Sequence, residues 1–92
     1  MMYKLRFTTN ALRDIQRHKK SGEKKLLKKL AVLLEELREH PATGTGQPEK
    51  LKHKLEGLYS RRINKKHRLV YSIDENIVVV FVLSAYRHYS DK

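Results

Sequence analysis

The chain has no cysteine and no tryptophan, only two prolines and four glycines, and ten acidic residues against twenty-one lysines and arginines. Without cysteine there can be no disulfide scaffold, thiolate nucleophile or Cys-based zinc site, and a reducing cytoplasm suits the chain. The longest apolar run, residues 77–83, is far too short to span a bilayer, and "MMYKLRFTTN" lacks the apolar core of a secretion signal. Neither export nor a membrane partner is expected. With no repeat or low-complexity tract, residues 1–92 are expected to form one domain around a single modest core. The scarcity of acids leaves a formal charge of +11, well beyond the few net charges that solubility requires. A polyanionic partner is the natural reading.

"YKLRF" (3–7) alternates apolar and basic residues with the period of a half-buried strand. Thr8 or Thr9 then caps a short helix, with Ala11, Leu12 and Ile15 on one face, that stops at Ser21–Gly22. In "EKKLLKKLAVLLEELREHP" six leucines between Leu26 and Leu37 fall within an arc of about 120°, which makes an amphipathic core-facing helix ended by Pro41. Its charges run against the macrodipole. Lys24, Lys25, Lys28 and Lys29 crowd the first half and Glu35, Glu36 and Glu39 the second, at a cost of some tenths of a kcal/mol for each charge near an end. A binding role would explain the lysines as well as a solvated face does.

"PATGTGQP" (41–48) reads as a loop, "KLKHKLEGLYSRRI" (50–63) as one strand broken by Gly57, and "HRLVYSI" and "IVVVFVLSA" as a hairpin turning at Asp74–Asn76. The last strand is apolar on both faces and belongs inside the sheet. The expected fold is α+β, two helices packed on a mostly antiparallel four-stranded sheet in the order β-α-α-β-β-β.

Between Lys50 and Arg68 there are eight lysines or arginines and one acid, Glu56, and Tyr59, Tyr71, Tyr86 and Tyr89 lie among and after these bases, a composition suited to phosphate and to stacking unpaired bases, although Tyr71 is expected to pack in the core. The histidines at 18, 40, 53, 67 and 88 show no metal-ligand spacing, and "GTGQPEK" lacks the spacing of a phosphate-binding loop, so no cofactor or metal is expected. Acid-base chemistry on a phosphodiester remains. RNA supplies its own 2′-hydroxyl nucleophile, and a glutamate, a histidine and an arginine would suffice. Glu49 follows the loop, and Arg68 and His88 fall toward the same open end of the hairpin.

"GTGQPEKLKHKLEGLYSRRINKKHRLVYSI" (44–73) with the closing "RHY" resembles the YoeB group of RelE-superfamily toxins over most of the chain. The resemblance implies a microbial-RNase-like fold and a ribosome-dependent endoribonuclease that cleaves mRNA in the ribosomal A site. It further implies neutralisation by a cognate acidic antitoxin, and a homodimer. Carried over by position, Glu49 would take the 2′-hydroxyl proton, Arg68 would hold the scissile phosphate, His88 would protonate the leaving oxygen and Tyr89 would orient base or phosphate. Lys50, Lys52, Lys54, Arg61, Arg62, Lys65 and Arg87 are expected to position RNA. Two competing readings use the same basic surface without turnover: an RNA- or ribosome-binding module, and a gyrase-inhibiting relative of the same fold.

Overall fold

The computed structural model describes residues 2–46 and 48–86. Its elements are β1 (Lys4–Phe7), α1 (Thr9–Ser21), α2 (Lys24–Glu39), β2 (Glu49–Lys50), a 3₁₀ turn at His53–Leu55, β3 (Tyr59–Arg62), β4 (Arg68–Asp74) and β5 (Val79–Ser84). The strands lie in the order β1-β5-β4-β3-β2, with β1 parallel to β5 and every other pair antiparallel. The α+β class and the chain order of helices and strands are as the sequence predicts. The strand count is not, because residues 50–63 do not form one strand. Leu51 leaves β2 buried, the 3₁₀ turn follows, and the chain reverses near Gly57 (φ +96) before β3. Glu49 and Lys50 thus make a fifth strand, too short to leave an alternating pattern.

Both helices have their apolar stripes on one face of the sheet. Leu26, Leu30, Leu33 and Leu37 of α2 and Ala11 of α1 are buried with Leu69, Tyr71, Val80 and Val82. α1 runs to thirteen residues rather than being short: the Thr8 hydroxyl accepts from the Ala11 amide at 3.0 Å, and left-handed Gly22 closes the other end. Two buried polar side chains of α1 grip the chain after β5. The Asp14 carboxylate accepts from the Ala85 amide at 2.9 Å, and His18 Nε2 donates to the Ala85 carbonyl at 2.7 Å.

The β4–β5 connection is longer than the expected Asp74–Asn76 turn. Asp74 remains in β4 while its carboxylate accepts from the amides of Asn76 and Ile77, and β5 starts at Val79. As its two-faced apolarity implies, β5 is interior, between β1 and β4. Among the described residues no helix is long and apolar enough to cross a membrane.

Arg61 organises the loop between α2 and β2. Its guanidinium is wholly buried and donates to Tyr71 Oη (3.0 Å), Glu36 Oε1 (2.9 Å) and the carbonyls of Thr45 (3.2 Å), Thr43 (2.5 Å) and His40. The Tyr71 hydroxyl donates in turn to the Pro41 carbonyl at 2.6 Å, and burial raises its pKa, which keeps the proton in place. Glu36 completes the ring by accepting from the amide and hydroxyl of Thr45.

Gly44 has φ +109, and a Cβ there would lie 2.5 Å from Glu36 Oε1, so Gly44→Ala should destabilise the protein by about 1–3 kcal/mol in urea titrations. The hydrogen bond from the Thr45 hydroxyl, with smaller help from the Thr45 amide and Arg61, holds the Glu36 carboxyl below its ordinary value against the opposing effect of desolvation. Because the folded-state value is the depressed one, its stabilisation is complete above the ordinary 4.5 and is lost as pH falls through the lower folded value. Urea midpoints should therefore fall below pH 4.5, and Glu36→Gln should flatten that part of the profile.

Candidate active site

Side-chain alternation divides β3 and β4 between two faces. Leu69 and Tyr71 lie under the helices, so Arg68 and Val70 point to the other face. Arg61 reaches Glu36 on the helix side, so Ser60 and Arg62 share the face of Arg68. Glu49 of β2 lies opposite Ser60, and Arg62 lies opposite Arg68. Two register relations thus carry a loop-end glutamate and a strand-opening arginine to one place. Arg68 Nη1 donates to Ser60 Oγ at 2.9 Å and lies 3.3 Å from Glu49 Oε1. The Arg68 side chain is 12% exposed and that of Glu49 is 49%, so the guanidinium is fixed in the sheet while the carboxylate opens to solvent.

This arrangement can do two things chemically. A carboxylate beside a guanidinium can accept a proton from a hydroxyl whose neighbouring phosphate the guanidinium holds. Arg62 and Arg68, directly opposite on neighbouring strands, repel one another, and an anion bound between them would relieve that repulsion.

Below Arg68, the β3–β4 turn is set by Asn64, whose Oδ1 accepts from the amides of Lys66 and His67 at 2.8 Å each. His67 is buried, and its ring lies 4.6 Å from that of His18 and 4.5 Å from that of Tyr86. The Arg17 guanidinium sits 3.7 Å above the Tyr86 ring. This packing fixes the chain where it turns into β4.

The other expected cations separate. Arg62 is exposed on the Glu49 face. Lys50, Lys52, Lys54 and Lys65 are exposed, but Lys50 and Lys52 line their own depression with Glu56 and Gly57, and Lys65 belongs to the β3–β4 turn. Arg61 must be removed from the phosphate-facing set, since every guanidinium donor is engaged inside the protein. Tyr71 packs in the core, with Tyr59 stacked on it at 5.7 Å. Sequence reasoning misses Ser60. A serine at the second position of a strand carries no signal until the pairing of β3 with β2 and β4 is known. Among the described residues no group of three His, Asp or Glu is placed to hold a metal.

A family model described as "YoeB-like toxin of bacterial type II toxin-antitoxin system" matches residues 7–89. The chain belongs to this family. The "Toxin YoeB" of Synechocystis sp. is 45% identical over 60 residues, 64% of this chain and 70% of that protein. A YoeB/ParE toxin from Agrobacterium tumefaciens superposes with a TM-score of 0.86 at 29% identity, covering 94% of this chain and 99% of the other. YoeB from Staphylococcus aureus has been solved as a dimer (TM-score 0.79, 38% identity, 97% and 100% covered). It has also been solved in a heterotetrameric YoeB–YefM toxin–antitoxin complex (TM-score 0.77, 39% identity, with the same coverage). Arg87, His88 and Tyr89 of this YoeB-like chain lie outside the described residues, so the pairing of Glu49 with Arg68 is the part of the candidate site seen directly.

Proposed function

We propose that this type II toxin is a ribosome-dependent endoribonuclease that cleaves mRNA in the A site by general acid-base catalysis. The observation that carries the reading is the Glu49–Arg68 pair, 3.3 Å apart on the sheet face away from the helices, in a chain of the YoeB-like family. Glu49 takes the proton from the 2′-hydroxyl, Arg68 offsets charge developing on the phosphate, His88 protonates the 5′-oxygen and Tyr89 orients the nucleotide. The products are a 2′,3′-cyclic phosphate, or the 3′-phosphate from its opening, and a 5′-hydroxyl. Arg62, Lys50, Lys52, Lys54, Lys65 and Arg87 position the RNA backbone. A pure binding module would need the cations but not the carboxylate.

An acidic antitoxin docking on the basic face holds the toxin inactive, and the toxin forms a homodimer, as the complex and the dimer of the S. aureus relative support. The test is primer extension on mRNA with programmed ribosomes and purified protein. Cuts at the A-site codon are expected from wild type, and no cut would favour the binder.

A further inference from the structure

Four lysines of α2, Lys24, Lys25, Lys28 and Lys29, serve neither the fold nor the site described above. The contrast with α1 is informative. α1 ends in His18, Lys19 and Lys20, where the macrodipole favours positive charge. α2 begins with Lys24 and Lys25 at the end where the macrodipole opposes them, has no acid in its first turn, and gets no side-chain cap from Glu23. Lys24, Lys25 and Lys28 are exposed and Lys29 is half-buried, and no side-chain hydrogen bond or ion pair among the described residues engages any of them.

The lysines also converge with cations from elsewhere. Lys24, Lys25 and Lys29 rim a depression of about 740 Å³ over Leu26 and Ile63. Through Glu23 and Asn64 it adjoins a second depression, of about 530 Å³, lined by Arg17, Lys65 and Lys66. Lys66 stands two residues before Arg68, so positive charge continues from the helix corner around the β3–β4 turn toward the Glu49 face.

We propose that this corner is a second RNA-binding surface, which takes the phosphate backbone of double-helical RNA while the opposite sheet face takes the single strand. The rings at the corner, His18, His67 and Tyr86, pack against one another, and Tyr86 also carries Arg17, so the corner is poorly suited to stacking unpaired bases. Lysine ammonium groups are point charges that position phosphates without reading sequence, the mode by which helical RNA is held. The identification of the polyanion as RNA rests on the reading under Proposed function; the surface and the helical form of its ligand are new.

The test compares wild type with Lys24→Gln/Lys25→Gln/Lys28→Gln/Lys29→Gln by fluorescence anisotropy, using an RNA hairpin of about 16 base pairs, roughly the span one duplex-binding domain covers, across a salt series. Polyglutamate is measured in parallel. The variant should bind the hairpin at least tenfold more weakly, with the slope of log K against log salt reduced by about 2–4, near one for each phosphate no longer neutralised. Its thermal midpoint should be unchanged or higher, because the charges removed oppose the helix dipole; should it fall, Lys24→Gln/Lys28→Gln is read instead. Unchanged hairpin affinity and slope would overturn the proposal, and so would a loss confined to polyglutamate, which would give the corner to an acidic protein segment. The binding assay contains no ribosome. Wild type that fails to cut, beside a variant that loses the hairpin, sinks only the cleavage reading, whereas wild type that cuts, beside a variant that keeps the hairpin, sinks only this one.

Discussion

Glu49→Gln should slow A-site cleavage on programmed ribosomes by about 10²- to 10⁴-fold, the usual effect of losing a general base. The substitution keeps shape and hydrogen-bonding capacity, and the residue is exposed on a two-residue edge strand, so folding should be unaffected. What is lost is a basic oxygen beside Arg68. Arg68→Lys should be comparably damaging in a different way: an ammonium keeps the charge but not the planar geometry with which the guanidinium meets Ser60 Oγ and Glu49 Oε1 from one nitrogen. His88→Gln, removing the proposed acid, should fall in the same range as Glu49→Gln. Glu49→Gln protein cutting at the wild-type rate would refute its role as base, even if ribosome binding persisted.

Arg61→Leu should lower stability by about 3–5 kcal/mol, the cost of breaking a buried pair from one side. Five acceptors each lose one donor together: Glu36, the Tyr71 oxygen and the carbonyls of His40, Thr43 and Thr45. Glu36 keeps some water, with a quarter of its side chain exposed, which favours the lower end of that range. At about 4–8 °C per kcal/mol for a chain of this size, the melting midpoint should drop by well over 10 °C. The neighbouring Arg62→Leu, at an exposed position, should leave the midpoint within a few degrees while weakening RNA binding. Equal melting of the two variants would show that the ring around Arg61 contributes little.

The adjacent arginines show how much can be read from sequence. A strand places neighbours on opposite faces, so "YSRR" guarantees that Arg61 and Arg62 part company. Which of them faces the helices is not written locally. It depends on the pairing Arg62↔Arg68 and on a glutamate 25 residues away that meets the buried one. Lone charges favour the surface so strongly that an arginine inside its own ring of carbonyls cannot be anticipated from composition. The helices are legible because their leucines repeat with helical spacing and Thr8, Gly22 and Pro41 mark the boundaries. β2 is not, since two residues carry no period. The meeting of Glu49 with Arg68 spans three strands; family resemblance names the two residues, and only the strand register supplies a physical reason for their meeting.

Among the described residues the sheet neighbour of β1, the first strand made, is β5, the last, with Lys4 aligned to Val79 and Phe7 to Val82. A growing polypeptide therefore cannot close its core until β5 has been synthesised, and that closure joins residues some seventy-five positions apart, a slow kind of pairing to form. While translation is under way, the β3–β4 hairpin bearing Arg68 lacks the strand that will brace it. The machine this protein is proposed to attack must thus make β5 before the weapon takes shape, which leaves an interval in which a partner already present can meet the chain first.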